Sequence, residues 1–161
     1  MSVRRFILLS LPAVFALCLP AAAQNSGPEG LWLVKDQTAR IRIEKCGNEM
    51  WGTVAWQNEA KIDVNNPDPA MRQKSLLGSA VLIGMRPAAA NLWEGDIYNA
   101  RDGKTYSSKM AMLPSGALEI KGCVMGIICG GENWTRLPEP PPAAGAAPRV
   151  SCAALRRPAG R

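Results

Sequence analysis

Histidine is absent from all 161 residues. That removes Ser-His-Asp and Cys-His nucleophile systems, histidine zinc sites and an imidazole general base together. Phenylalanine is almost as scarce, and both copies, Phe6 and Phe15, fall within the first 23 residues. No Cys-x-x-Cys spacing occurs, which argues against a zinc ribbon. The longest apolar run, Phe6 to Leu19, is shorter than the roughly 20 residues needed to span a bilayer. A charge excess is missing from the body of the chain as well. The formal net charge is +6, but residues 24–137 carry 13 Lys/Arg against 12 Asp/Glu. A nucleic-acid-binding domain concentrates basic charge on its folded surface, and here the surplus belongs to the chain ends.

Those ends have their own grammar. Arg4-Arg5, the apolar run and Ala21-Ala22-Ala23 read as a secretion signal cleaved after Ala23. Leu17 precedes Cys18 where a lipobox wants a small residue, so lipidation is not expected. The style is bacterial and the address periplasmic. From Pro138 onward the chain holds six of its 13 prolines among many alanines. Such composition cannot build a core and predicts a disordered tail over 138–161. The remainder, 24–137, suits one domain, large enough to bury roughly two thirds of its surface without an obligatory staple or metal.

Export makes disulfides the default for Cys46, Cys123, Cys129 and Cys152. A chain reversal near Met125-Gly126 would bring Cys123 and Cys129 together; two buried thiols are the plainer alternative. Cys152 is open to pairing with Cys46, to pairing with another chain, or to remaining a free thiol.

Residues 24–137 read as short strands. Arg40-Ile41-Arg42-Ile43-Glu44 and Leu118-Glu119-Ile120-Lys121 alternate with period two, and turn signals recur every 8 to 12 residues or about that. Cys46-Gly47-Asn48-Glu49, Asp102-Gly103 and Pro114-Ser115-Gly116 separate strands near 38–45, 50–58, 92–99, 104–112 and 117–124. Further strands near 30–35, 78–86 and 130–136 bring the number to about eight. With short connections, this predicts an all-β, up-and-down antiparallel barrel. The exception is the long loop 59–76, where Asn66 is expected to cap one helical turn through Arg72 with Pro67 at its first position. Asp63, Asn65 and Asp68 invite a calcium reading, but Pro67 interrupts the alternation and no glutamate closes the loop. No metal and no cofactor is expected.

Five tryptophans serve a domain without phenylalanine, so most must be core. The functional reading puts Trp32, Trp56 and Trp93 inside the barrel against a ligand, with Tyr98 and Arg72 near a rim or under the long loop. Trp93, Gly95 and Ile97 share one strand face. Glu94 and Asp96 then face water beside Tyr98, solvated rather than catalytic. The Asp102-Gly103 hairpin is expected to bring Tyr98 near Tyr106.

Asp63-x-x-Asn66-Pro67-Asp68-x-x-x-Arg72, Trp93-x-Gly95-x-Ile97-Tyr98-Asn99-x-x-Asp102-Gly103-Lys104-x-Tyr106 and Trp134-Thr135-Arg136, with Gly30-x-Trp32 at the start, together resemble a bacterial secreted family. It is number 2147 in the domain-of-unknown-function series. The resemblance covers about 30–137 and implies a calycin-like (lipocalin-like) barrel without an established activity. It carries no catalytic residue across. The family pattern at the second turn, Cys-Gly-x-x-x-Cys-Gly, is broken here: Trp51-Gly52 follows Met50, so Cys46 lacks its expected local partner, whereas Cys123 and Cys129 match.

The leading expectation is a monomeric or weakly associating, non-catalytic periplasmic module that binds a small apolar ligand. The alternative is an envelope protein-interaction factor or inhibitor that uses the 59–76 loop, since eight strands can be filled by their own side chains. An enzyme comes third.

Overall fold

Turn residues and period-two alternation translate into strands at almost every expected place. A computed structural model describes residues 27–124, 127–139 and 150–155. The expected leader, 1–23, lies outside the described residues. The strands are β1 (Gly30–Leu33), β2 (Ala39–Cys46), β3 (Glu49–Gln57), β4 (Ala80–Ala89), β5 (Leu92–Asn99), β6 (Lys104–Met112), β7 (Leu118–Val124) and β8 (Ile128–Leu137). Each pairs antiparallel with its neighbour in sequence, and β1 closes on β8 through Leu31–Leu137 and Trp32–Arg136. The result is the up-and-down closed barrel that the strand spacing predicts. Closure removes both sheet edges, which would otherwise offer unpaired backbone groups.

Alternation along each strand sorts side chains to the bore or to solvent. Trp32, Ile41, Ile43, Leu82, Met85, Met110, Leu118, Ile120 and Trp134 form one buried cluster inside. Its densest part lies at the end where the β4–β5 and β6–β7 turns sit. There Trp32, Met85, Met110 and Leu118 have no exposed surface. Trp32 donates its indole N–H to the Pro28 carbonyl at 2.8 Å, and the Arg136 guanidinium stacks 4.2 Å above its ring. Arg136 also donates to the carbonyls of Glu29 and Gly27, so this end is plugged by side chains and by the chain entering β1.

Two details of register depart from the sequence expectation. In the β5–β6 hairpin Ile97 lies opposite Tyr106 and Tyr98 opposite Thr105. The two tyrosines therefore occupy opposite faces instead of meeting. In the β2–β3 hairpin Ile41 faces Val54 but Arg40 faces Trp56. Ala55 is thus an extra, bulged residue. The bulge inverts the alternation beyond it and turns Trp56 outward onto Arg40, whose guanidinium sits 4.6 Å from the ring.

The long connection is ordered by polar side chains. Its cap differs from the one expected: Asp68, not Asn66, accepts from the Ala70 N–H and starts a single 3-10 turn at Pro69–Met71. Asn66 instead accepts from the Asp68 N–H at 2.9 Å and donates to Asp63 at 2.6 Å. An antiparallel bridge between Ile62 and Ser75 ties the base of the loop.

Both disulfides are formed, Cys123–Cys129 and Cys46–Cys152. The first joins residues directly opposite each other in the β7–β8 hairpin. The second corrects the expectation of a wholly extended tail: Cys152–Leu155 makes one helical turn against the outside of the barrel. Leu155 is buried there with Trp51 and Cys46, and Val150, Ala80 and Ile83 pack around them. Two leucine- and tryptophan-sized surfaces thereby leave water, which an extended Pro/Ala chain would not achieve.

Candidate ligand cavity at the open end of the barrel

The opposite end of the bore is not filled. A cavity of about 950 Å³ opens where the β1–β2, β3–β4, β5–β6 and β7–β8 connections cluster, within the roughly 300–1,000 Å³ range of small-molecule sites. Its inner wall is mostly aliphatic, with Ile41, Val54, Val81, Ile97 and Ile120 from the strands and Trp134 toward the plugged end. The long connection adds Ile62, Val64 and Leu76. Asp36, Lys61 and Arg101 supply charge at the mouth, where Arg101 pairs with Asp36 at 3.1 Å. Ile127 and Ile128 stand at the same end, 84% and 74% exposed.

The space has a sequence cause. Gly122 and Gly130 lie opposite each other in β7 and β8, on the inward face with Ile120, Glu132 and Trp134. A Cβ at Gly130 would meet nothing within 4 Å. The open space is at Gly130; at Gly122 a Cβ would already meet Ile97 Cγ2 at 3.2 Å.

Two contacts fasten the long connection over the mouth. Asn65 donates its amide to the carbonyls of Ala100 and Arg101, at 3.3 and 2.9 Å. It approaches the β5–β6 turn so closely that a Cβ on Gly103 would overlap the Asn65 backbone, and Gly103 itself has φ +69; only glycine meets both demands. Tyr98 donates its hydroxyl to the buried Asp63 carboxylate at 2.7 Å.

Of the five residues expected to touch a ligand, Tyr98 alone lines the cavity. Trp32 belongs to the plug. Trp93 packs half-buried against the core cluster, on the inward face as its strand pattern predicts. Trp56 is outside because of the bulge. Arg72 is exposed in the long connection, donating from Nε to the Asn66 carbonyl at 2.8 Å. The wall is chiefly aliphatic, with Tyr98, Tyr106 and Trp134 as its aromatic members. Tryptophan is spent on closing the bore, and β-branched residues, which suit strands, line its open half.

Glu132 was missed by the sequence reading. It lines the cavity, half-buried, and accepts from the Trp134 indole at 2.6 Å. Its signal was available: in Gly130-Gly131-Glu132-Asn133-Trp134, an inward Trp134 forces Glu132 inward too.

Burial, and then the hydrogen bond to Asp63, push the Tyr98 phenol up to about 12. Because the folded value lies above the unfolded one, the latch is intact below the ordinary tyrosine range near 10 or so. It is lost as pH rises toward about 12. With only two tyrosines in the chain, a tyrosinate absorbance titration can separate them. Tyr98→Phe should delete the last-ionising phase and cost about 1–3 kcal/mol, because Asp63 loses a donor while buried. An unchanged upper phase would mean that Tyr98 is not latched.

The fold and its half-open bore define a lipocalin-like barrel. Protein HP1028 from Helicobacter pylori, described as belonging to the lipocalin family, superposes with a TM-score of 0.63 over 69% of this chain and 83% of its own, at 22% identity. Residues 30–136 match the family described as uncharacterized protein conserved in bacteria (DUF2147), and the chain belongs to that family. No curated protein matches the sequence. Among the described residues no helix is long and apolar enough to cross a membrane. The two disulfides fit an extracytoplasmic protein.

Proposed function

We propose that this protein is a non-catalytic binding module that holds a small, largely apolar molecule in the open half of its barrel, after removal of residues 1–23 on export to the periplasm. The observation that carries the reading is the aliphatic cavity of about 950 Å³ beneath a fastened loop. A filled barrel would have no need of one. Apolar walls favour apolar surface at roughly 25 cal/mol per Å² removed from water, while the few polar groups at the mouth and on β8 orient the guest. The lipocalin-family description of the Helicobacter pylori protein supports the same class of activity.

Pyrene, neutral and without hydrogen-bonding groups, tests the cavity alone. Its emission should rise on addition to the wild-type protein, saturating at one per chain. Gly130→Phe places a ring in the vacant space without backbone strain, since Gly130 is not among the positive-φ residues. The variant should bind pyrene at least about tenfold more weakly, a loss of roughly 1.4 kcal/mol, with melting unchanged or raised. Equal pyrene binding by a folded Gly130→Phe protein would remove the cavity from consideration.

A further inference from the structure

The polar content of the cavity is lopsided. The mouth carries Lys61 and an Arg101 already paired with Asp36, whereas the interior carries a carboxylate, Glu132. Glu132 sits opposite Ile120 in the β7–β8 pairing, and Ile120 is 2% exposed. The carboxylate therefore has an apolar neighbour on the adjoining strand. Among the described residues no lysine or arginine makes an ion pair with it, although five such pairs form elsewhere. Its hydrogen-bond partner there is the neutral Trp134 N–H. One donor satisfies one of the several lone pairs a carboxylate presents. Ser108, opposite Gly122, is 3% exposed and its hydroxyl has no partner among the described residues, but it does not line the cavity.

We infer that the ligand carries a cationic amine, and that Glu132 receives its ammonium inside the barrel while the apolar part fills the aliphatic half toward the mouth. This rests on the reading of the cavity as a ligand site and narrows it to one chemical class, alkyl or arylalkyl amines. A half-buried charge among apolar neighbours is costly unless paired, and an entering ammonium supplies both the opposite charge and up to three donors. The lower effective dielectric of a half-buried site makes that pairing stronger than it is in water. A carboxylate amphiphile meets the opposite arrangement. Head-inward it faces repulsion from Glu132, and it can only turn its head to Lys61 at the mouth, where Arg101 is already paired with Asp36. The same walls therefore discriminate by head group, through a repulsive element as well as an attractive one.

Calorimetric titration with decylamine, decanol and decanoate, three heads on one chain, tests this. The wild-type protein should bind decylamine at least about tenfold more tightly than decanol, the scale of a partly desolvated charge pair. Glu132→Gln keeps an oxygen for the Trp134 N–H. It should bring the amine to within about threefold of the alcohol and preserve melting. The inference is overturned if the wild type binds decanol or decanoate as tightly as decylamine. It is equally overturned if folded Glu132→Gln retains the amine preference. Binding of the alcohol without amine preference leaves the cavity reading standing and sinks this one alone. Absence of binding by all three, together with absence of pyrene binding, overturns both. If Glu132→Gln fails to fold, the wild-type comparison of the three heads still decides.

Discussion

Trp32→Ala should destabilise the barrel by about 3–5 kcal/mol, the cost of emptying a large, fully enclosed aromatic site. Trp32 has no exposed surface, holds the Pro28 carbonyl through its indole N–H and carries Arg136 on its face. Alanine removes all three at once, and it leaves the half-buried Arg136 guanidinium over a void. For a domain whose whole stability is of the order of 5–15 kcal/mol, that is a large fraction. With about 4–8 °C of melting temperature per kcal/mol at the smaller end of domain sizes, the shift should exceed ten degrees or so. Trp32→Phe keeps the ring and gives up the hydrogen bond, so it should recover more than half of the loss. Trp56→Ala is the internal control. At 38% exposure on the outer face, stacked on Arg40, it should cost no more than about 1 kcal/mol. Urea unfolding with unchanged m-values checks both. Equal midpoints for Trp32→Ala and Trp56→Ala would refute the plugged end.

Paired replacement of Cys46 and Cys152 by serine should be the other large loss, about 2–4 kcal/mol. The bond spans 106 residues. In the chain-entropy relation a loop near 100 residues restrains the unfolded ensemble by roughly 4.7 kcal/mol. The net is smaller because the reduced native protein recovers freedom of its own when residues 150–155 leave the barrel. The Cys123–Cys129 bond closes only six residues, for which the same relation yields about 2 kcal/mol. A second readout separates the tether from generic destabilisation. Release of Leu155 uncovers Trp51, 9% exposed when docked, so native-state tryptophan emission should move to the red in the Cys46/Cys152 variant and stay put in the Cys123/Cys129 variant. Identical melting of the wild type and both variants, with four thiols titratable in the unfolded wild type, would show that neither bond forms.

The candidate site was far less legible than the fold, and the reasons lie in particular residues. Composition makes most of the tryptophans core in a domain without phenylalanine, and the ligand reading added Trp32, Trp56 and Trp93 as an inner wall. The cavity instead owes room to what is small, glycine at 130, and β-branched residues wall it. Trp56 would have faced inward on a regular strand, and one bulged residue, Ala55, reversed it. Nothing local marks that bulge, because it is a property of how β3 pairs with β2. Tyr98 is expected near a rim or under the long loop, and its hydroxyl bonds Asp63 of that loop. Glu132 was legible through its spacing from Trp134, once an inward Trp134 is granted.

Strand number, strand order, the turn positions and the one long connection were determined by the sequence itself. The physical reason is that alternation and turn chemistry act over a few residues, and short connections admit only antiparallel neighbours. The tertiary structure alone decided which end of the bore is plugged and which is hollow, that Cys46 reaches across 106 positions to Cys152, and that a carboxylate without a cationic partner among the described residues faces the hollow end. Each of those depends on register and on contacts between distant strands, where one bulged residue exchanges inside for outside.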